Sequence, residues 1–354
     1  MEQVLSDNNL VISVDAMGGD NSPRVVVEGV NIAHKNNPDV KFLLFGDEAK
    51  VSEEMKRFPQ MKEYCTLIHS PEAVKNEDKP SQVIRNKNTS MYMAIDAVRR
   101  GEAKAIISAG NTGALMAISK MILKTIQRIH RPAICTNIPH KNGMCVMLDL
   151  GANTECNAVN LAEFSIIGNI LAKHTLNIER PRIALLNIGA EEMKGREEIH
   201  QAAKMIKSTH LDLNFIGYIE PHQIGEGYAD VIVSDGFTGN IALKTMEGTS
   251  KLITNLLKTS IKKSVWAKIG LPFLLPVIWT LKKSMDPRKY NGAMFVGLNG
   301  LSVKSHGGTD ALGFSYAIDN ASKLVRQDFV QTIRDEVEHV DLDELSQDIL
   351  YDVY

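Results

Sequence analysis

VISVDAMGGDNSP (residues 11–23) decides the fold: an apolar, β-branched run ends in an acid and a glycine pair, and a helix-start signal follows. Ser22 and Pro23 suit the N-cap and first turn of a helix running to about His34. The same pattern recurs at AIISAGNTGALMAI (105–118), CVMLDLGANTECN (145–157), IALLNIGAEEMKG (183–195) and VIVSDGFTGNIAL (231–243), and FLLFGD (42–47) reads as a further strand. Nearly continuous apolar runs suit strands buried on both faces, and their alternation with helices predicts an α/β chain. The expected fold is an open, mostly parallel, Rossmann-like sheet in an α/β/α three-layer arrangement. Ligands of such sheets bind beyond the carboxyl ends of the strands, where helix N-termini favour anions, and all five Gly-rich turns are expected at that one edge.

Residues 1–334 are expected to form one catalytic domain, including a basic amphipathic helical hairpin over 250–290 that protrudes from it. The tail 335–354 has eight acids and no Lys or Arg, and reads as a solvated acidic end. The 354 residues carry a net charge of −2, but residues 251–289 hold nine Lys or Arg against Asp286 alone, a local +8 that leaves −10 elsewhere. No basic stripe with stacking aromatics occurs outside that hairpin, so nucleic acid is not an expected partner. The start, MEQVLSDNN, has no basic, apolar leader, which predicts a cytoplasmic location. Cys65, Cys135, Cys145 and Cys156 lack CxxC spacing and read as reduced, buried thiols; no metal and no cofactor are expected, and neither GxxxxGK[ST] nor GxGxxG is present.

Seven stretches together, VDAMGGDNSP (14–23), KPSQVIRNKNTSM (79–91), SAGNTGALM (108–116), LDLGANTEC (148–156), NIGAEEMKGRE (187–197), VSDGFTGNIALKTMEG (233–248) and GLNGLSVKSHGGTDA (297–311), resemble the bacterial phosphate acyltransferase (PlsX) family over residues 11 to 332. Met294 stands where that family suggests Pro, and Met193 where a smaller residue is common, so local loop shape is expected to differ there. The resemblance implies a phosphotransacetylase-like fold, a homodimer, and conversion of acyl-acyl carrier protein and inorganic phosphate into acyl phosphate. A membrane glycerol-3-phosphate acyltransferase would consume that product.

The residue types fit the implied chemistry. No GxSxG elbow is present, and none is needed: phosphate, with a second pKa near ~6, arrives largely as a dianion, and a thiolate with a pKa near ~8.5 leaves with little help. What remains is holding the dianion and stabilising the carbonyl oxygen. Gly18, Gly19, Asn111, Thr112 and Gly113 are candidate phosphate-binding residues, with Lys304 a candidate cation for substrate. Lys194 is assigned to phosphate or the oxyanion, although a solvated lysine among Glu neighbours reads the same. Asn153 and Asn240 are either donors to substrate or turn-capping residues. Asp15, Asp149 and Asp235 end strands and are expected to orient neighbouring donors. His306, in KSHGG, either protonates the departing thiolate or bonds a loop carbonyl.

Between Lys268 and Lys282 lie 13 uncharged residues with Pro272 and Pro276 among them. A spanning helix needs about 20 apolar residues. Peripheral insertion into an anionic membrane is therefore expected, through Trp266, Leu271, Phe273, Leu274 and Trp279, flanked by Lys262 and Lys263. A dimer contact and acidic carrier-protein docking compete for the same segment. Rival functions are a short-chain acyl-CoA phosphotransacetylase and a non-catalytic membrane adaptor for lipid-synthesis enzymes.

Overall fold

The computed structural model describes residues 10–209, 211–264, 266, 273, 275, 276, 288 and 291–338. Each of the six strand-like runs is a strand followed by a helix or helical turn. In the first half these are β1 (Leu10–Asp15), α1 (Arg24–Asn36), β2 (Val40–Gly46), α2 (Glu48–Met55), β3 (Cys65–His69), α3 (Pro80–Val83), α4 (Ser90–Arg99), β4 (Ala105–Ser108) and α5 (Thr112–Leu123). The chain continues with β5 (Ala133–His140), β6 (Gly143–Leu148), α6 (Ala158–Leu176), β7 (Arg182–Leu186), α7 (Glu197–Ser208), β8 (Asn214–Ile219), β9 (Val231–Val233) and α8 (Gly236–Lys263). It closes with β10 (Ala293–Val296), β11 (Leu301–Lys304), α9 (Ala311–Arg326) and α10 (Phe329–Glu338).

The strands form one 11-stranded sheet in the order β3-β2-β1-β4-β11-β10-β5-β6-β9-β7-β8. Seven neighbouring pairs are parallel and three, all around β10 and β5, are antiparallel. Alternate residues feed two cores: Ile107 and Val146 face the layer of α1, α6, α7 and α9, whereas Ile106 and Met147 face the layer of α4 and α5. Sheet and helices thus give the expected three layers.

The three reversals correct the expectation of a single ligand edge. One row crosses the sheet from Val14 through Ile107, Val303, Met294 and Cys135 to Leu148. Asp15 follows Val14 in one direction, and Asp149 follows Leu148 in the other. The turns after β1 and β4 therefore lie at one edge, and those after β6, β7 and β9 at the opposite edge. Periodicity reports that a run is a strand, but not which way its neighbour points.

Smaller expectations also change. Ser22 does not cap α1: the cap position is Pro23, and the Ser22 hydroxyl donates back into the Gly turn, to Met17 O at 2.7 Å and Gly19 O at 3.0 Å. Met294 lies inside β10 instead of a loop, paired on both sides, where a Pro would remove a ladder donor. The boundary expected at 334 falls within α10, whose Val337 is buried. Residues 339–354, the rest of the acidic tail, lie outside the described residues, as does most of the expected hairpin beyond Ser264.

Candidate active site

Two carboxylates organise the two edges. Asp15, 2% exposed at the end of β1, accepts the hydroxyls of Ser90 (2.6 Å) and Ser108 (2.7 Å) and the Met17 N–H (3.2 Å). Burial pushes its carboxyl above the ordinary range, with the two serines pulling the other way. Ser108 in turn accepts the Gly110 N–H at 3.0 Å. A Cβ on Gly18 would stand 2.6 Å from both Asp15 Oδ2 and Gly110 N, so only glycine lets these loops close. Gly19 passes close to Gly307, and the Asp20 N–H donates to Gly307 O at 3.0 Å.

Lys304, at the end of β11 beside Ser108, completes this cradle and donates to Ala109 O at 3.1 Å. Burial lowers its amine to about 8, against the pull of Asp15 and Asp20, and Lys244 on α8 lowers it further. Asn111 caps α5 by accepting the Ala114 N–H at 3.0 Å, and its amide nitrogen donates to Asn76 O at 2.8 Å and Asp78 O at 3.1 Å. Its carboxamide is committed to the loop, leaving Thr112 and Gly113 exposed on the first turn of α5. The His306 ring is exposed; Nδ1 accepts the Gly308 N–H at 3.1 Å, so the loop contact is to an amide instead of a carbonyl. With Nδ1 accepting, the ring proton is on Nε2.

At the other edge Asp149, fully buried, accepts N–H groups from Ile134 (2.8 Å), Gly151 (3.2 Å), Ala152 (3.0 Å) and Asn153 (2.7 Å). The Asn153 side chain donates to Asp149 at 2.9 Å and to Pro132 O at 2.8 Å. It holds the turn, as a capping residue does. Burial again raises the Asp149 carboxyl. Asp235 caps α8 by accepting the Thr238 N–H at 2.7 Å and is paired with the Arg196 guanidinium. Gly239 packs α8 onto this cradle so closely that a Cβ would meet Asp149 O at 1.9 Å.

Asn240, exposed one residue later, faces Gly151, whose Cβ position lies 3.7 Å from the asparagine side chain. Lys194 is half exposed and bonded to Glu191 at 2.9 Å, which raises its pKa. Its loop is held by buried Asn187, which donates to Lys194 O at 2.7 Å and accepts the Ile188 N–H at 2.9 Å. Sequence reasoning missed Ser90, Ser108, Asn187 and Arg196, all of which lie within quoted motifs; Ser108 and Asn187 could have been flagged as polar residues at strand ends.

α8 links the two edges. Asn240 sits at the Asp149 cradle, and Lys244, one helical turn on and on the same face, lies within Coulombic reach of Lys304. Among the described residues no group of His, Cys, Asp and Glu is arranged to hold a metal ion. Burial raises the thiols of all four cysteines, to about 12 for Cys145 and Cys156, so they stay protonated and unreactive. Trp266 and Phe273 are highly exposed, and Lys262 and Lys263 end α8; Leu271, Leu274 and Trp279 lie outside the described residues. No described helix is long and apolar enough to cross a membrane.

The architecture is shared with a phosphotransacetylase from Streptococcus pyogenes, at a TM-score of 0.62 and 16% identity over 91% of this chain and 95% of that one. The EutD phosphotransacetylase from Staphylococcus aureus aligns at a TM-score of 0.56 and 16% identity, covering 90% and 94%. Likeness at this level is one of fold. Sequence relatives are much nearer. The phosphate acyltransferase of Rhodospirillum rubrum is 48% identical over 94% of this chain and 96% of its own length. That of Paramagnetospirillum magneticum is also 48% identical, over 95% and 96%. Residues 10–332, which hold both cradles and α8, match the family described as fatty acid synthesis protein, and the chain belongs to that family.

Proposed function

We propose that the protein transfers a fatty acyl group from acyl-acyl carrier protein to inorganic phosphate, giving acyl phosphate for phospholipid synthesis. One observation carries the reading. Glycine-built turns and a buried lysine amine form an anion seat, while every cysteine is buried and held protonated. A site that seats an anion and offers no thiolate suits a reaction whose nucleophile is the anion itself.

In this mechanism phosphate rests against the Asp15 cradle, on Lys304 and the first turn of α5 at Thr112 and Gly113. A phosphate oxygen attacks the thioester carbonyl carbon; the C–O bond forms as the carbonyl electrons move to oxygen. Asn240 and Lys194, which exchanges Glu191 for substrate, stabilise that oxyanion. Its collapse breaks the C–S bond, and the thiolate leaves with the electron pair and takes a proton from Nε2 of His306 in its imidazolium form, in which Nδ1 carries a proton instead of accepting the Gly308 N–H. Asp15, Asp149, Asp235 and Asn153 act by fixing the turns. The reaction as written needs no cofactor.

The fatty product favours work at a membrane surface, where a glycerol-3-phosphate acyltransferase can receive it. Exposed Trp266 and Phe273 support a peripheral contact with anionic lipid through the hairpin, in a protein read from its sequence and family resemblance as a cytoplasmic homodimer. Acyl phosphate formed from palmitoyl-carrier protein and phosphate, trapped as hydroxamate, tests the activity. Turnover of acetyl-CoA alone would instead assign a short-chain phosphotransacetylase, and silence on both would favour the adaptor. Blue-shifted tryptophan emission with anionic vesicles tests the membrane contact; no shift and no co-sedimentation would remove it.

A further inference from the structure

α8 carries five lysines and one acid, and the lysines are not scattered. Lys244, Lys251, Lys258 and Lys262 follow one another at intervals of 7, 7 and 4 residues, which keeps them on one side of the helix. At 1.5 Å per residue the row is about 27 Å long. It begins one turn after Asn240, at the site, and runs outward. Every lysine in it is exposed. Lys244 bonds Glu247 at 2.9 Å, but among the described residues no carboxylate lies within ion-pair distance of Lys251, Lys258 or Lys262.

Among the described residues the helix has a second unpartnered face. Leu252, Ile253, Leu256 and Leu257 are each more than half exposed. At about 100° per residue Ile253 and Leu256 lie across the helix from the lysine row, with Leu252 and Leu257 about 80–100° from the nearest lysine on either side, so the centre of this face is opposite the row. Were that apolar face to lie on lipid, the lysines would point away from the bilayer. A membrane-binding helix needs its cations at the flanks of the apolar stripe, where they can reach headgroups. The lysine row and the leucine face therefore serve different occupants.

We propose that the lysine row of α8 is the docking surface for the acidic face of the carrier protein that delivers the acyl group, a partner presenting carboxylates at helical spacing. This rests on the acyl-carrier reading of the activity. Complementary charge argues for it: three exposed cations in line, unpaired among the described residues, lie beside a site whose substrate is tethered to a protein. Such a row speeds encounter and sets the register in which the thioester reaches Asn240.

The test is the double variant Lys251→Glu/Lys258→Glu in the full-length protein, assayed with palmitoyl-carrier protein and phosphate and by fluorescence anisotropy with labelled carrier protein. Neither residue belongs to the catalytic machinery. The expected result is a rise of about tenfold or more in KM and Kd for the carrier protein, with kcat at saturation within twofold. The salt dependence of KM between about 0.05 and 0.2 M should flatten in the variant. Unchanged KM and Kd would overturn the proposal, including the case in which the variant loses only anionic-vesicle binding, which would make lipid the occupant. A fall in kcat with unchanged Kd would also overturn it, by placing the row in the chemistry. If the wild-type protein itself left acyl-carrier protein unused, the failure would belong to the activity reading instead.

Discussion

The Asp15 and Asp149 cradles solve one problem with different materials. Each places a buried carboxylate just past a strand end and wraps a glycine turn around it. At Asp15 two serine hydroxyls from α4 and β4 supply the main donors, and hydroxyls can turn to other acceptors. At Asp149 four backbone N–H groups and an asparagine amide do so, and these cannot. The comparison teaches that the first edge is built to adjust and the second to stay fixed. In the mechanism proposed above, an adjustable turn would seat phosphate and a fixed turn the oxyanion, which suits a nucleophile that moves toward a tethered carbonyl.

The sharpest attack on this contrast is Gly239→Ala. Its Cβ would overlap a backbone oxygen at 1.9 Å, whereas that of Gly18→Ala meets a carboxylate oxygen and an amide at 2.6 Å. Gly239→Ala should lose about 4 kcal/mol or more in urea unfolding and Gly18→Ala less. The reverse order would break the assignment of the stiffer cradle. Next comes removal of the carboxylates. Asp149→Ala leaves buried backbone donors unmet and should cost about 3–5 kcal/mol, against about 2 kcal/mol for Asp15→Ala, whose serines can repartner. Equal losses would erase the distinction.

Lys304 gives a pH test confined to the adjustable cradle. Its folded pKa of about 8 lies below the ordinary 10.5, so in that window the unfolded chain binds more protons. Its contribution to stability therefore rises as pH increases from about 8 to 10.5, by about 3 kcal/mol, and is flat below. The unfolding free energy of wild type minus that of Lys304→Met should show this rise; a flat difference would mean that the amine is not desolvated in solution. The smallest effect calibrates the rest. Gly101→Ala, at φ +75° with nothing near its Cβ position, should cost about 1 kcal/mol.

The strands and their glycine turns were legible because buried apolar runs and turn residues are local signals. The reversal between half-sheets was not: β10 and β11 insert between β4 and β5 but leave β5 running with β4, and it is the β5–β6 hairpin, whose first strand was not read from the sequence, that turns the second half around. Asp15, Asp149 and Asp235 were legible as acids at strand ends, and each accepts hydrogen bonds from groups around its turn. The partner Ser90 lies 75 residues from Asp15, beyond any local pattern. Arg196 stood in plain view two residues after Lys194, but its pairing with Asp235 joins two loops 39 residues apart. The lysine row of α8 was half visible: the excess of cations could be counted, but its separation from the apolar face required the length of the helix.

The central claim is that both edges serve one reaction. Acyl phosphate formation from palmitoyl-carrier protein, measured in Lys304→Met and Lys194→Met, tests it most directly. The account predicts that each variant loses about 100-fold or more in kcat/KM, through the phosphate KM for Lys304→Met and through kcat for Lys194→Met. Near-normal turnover in either one, with the fold retained, would contradict a shared site and confine the chemistry to a single edge.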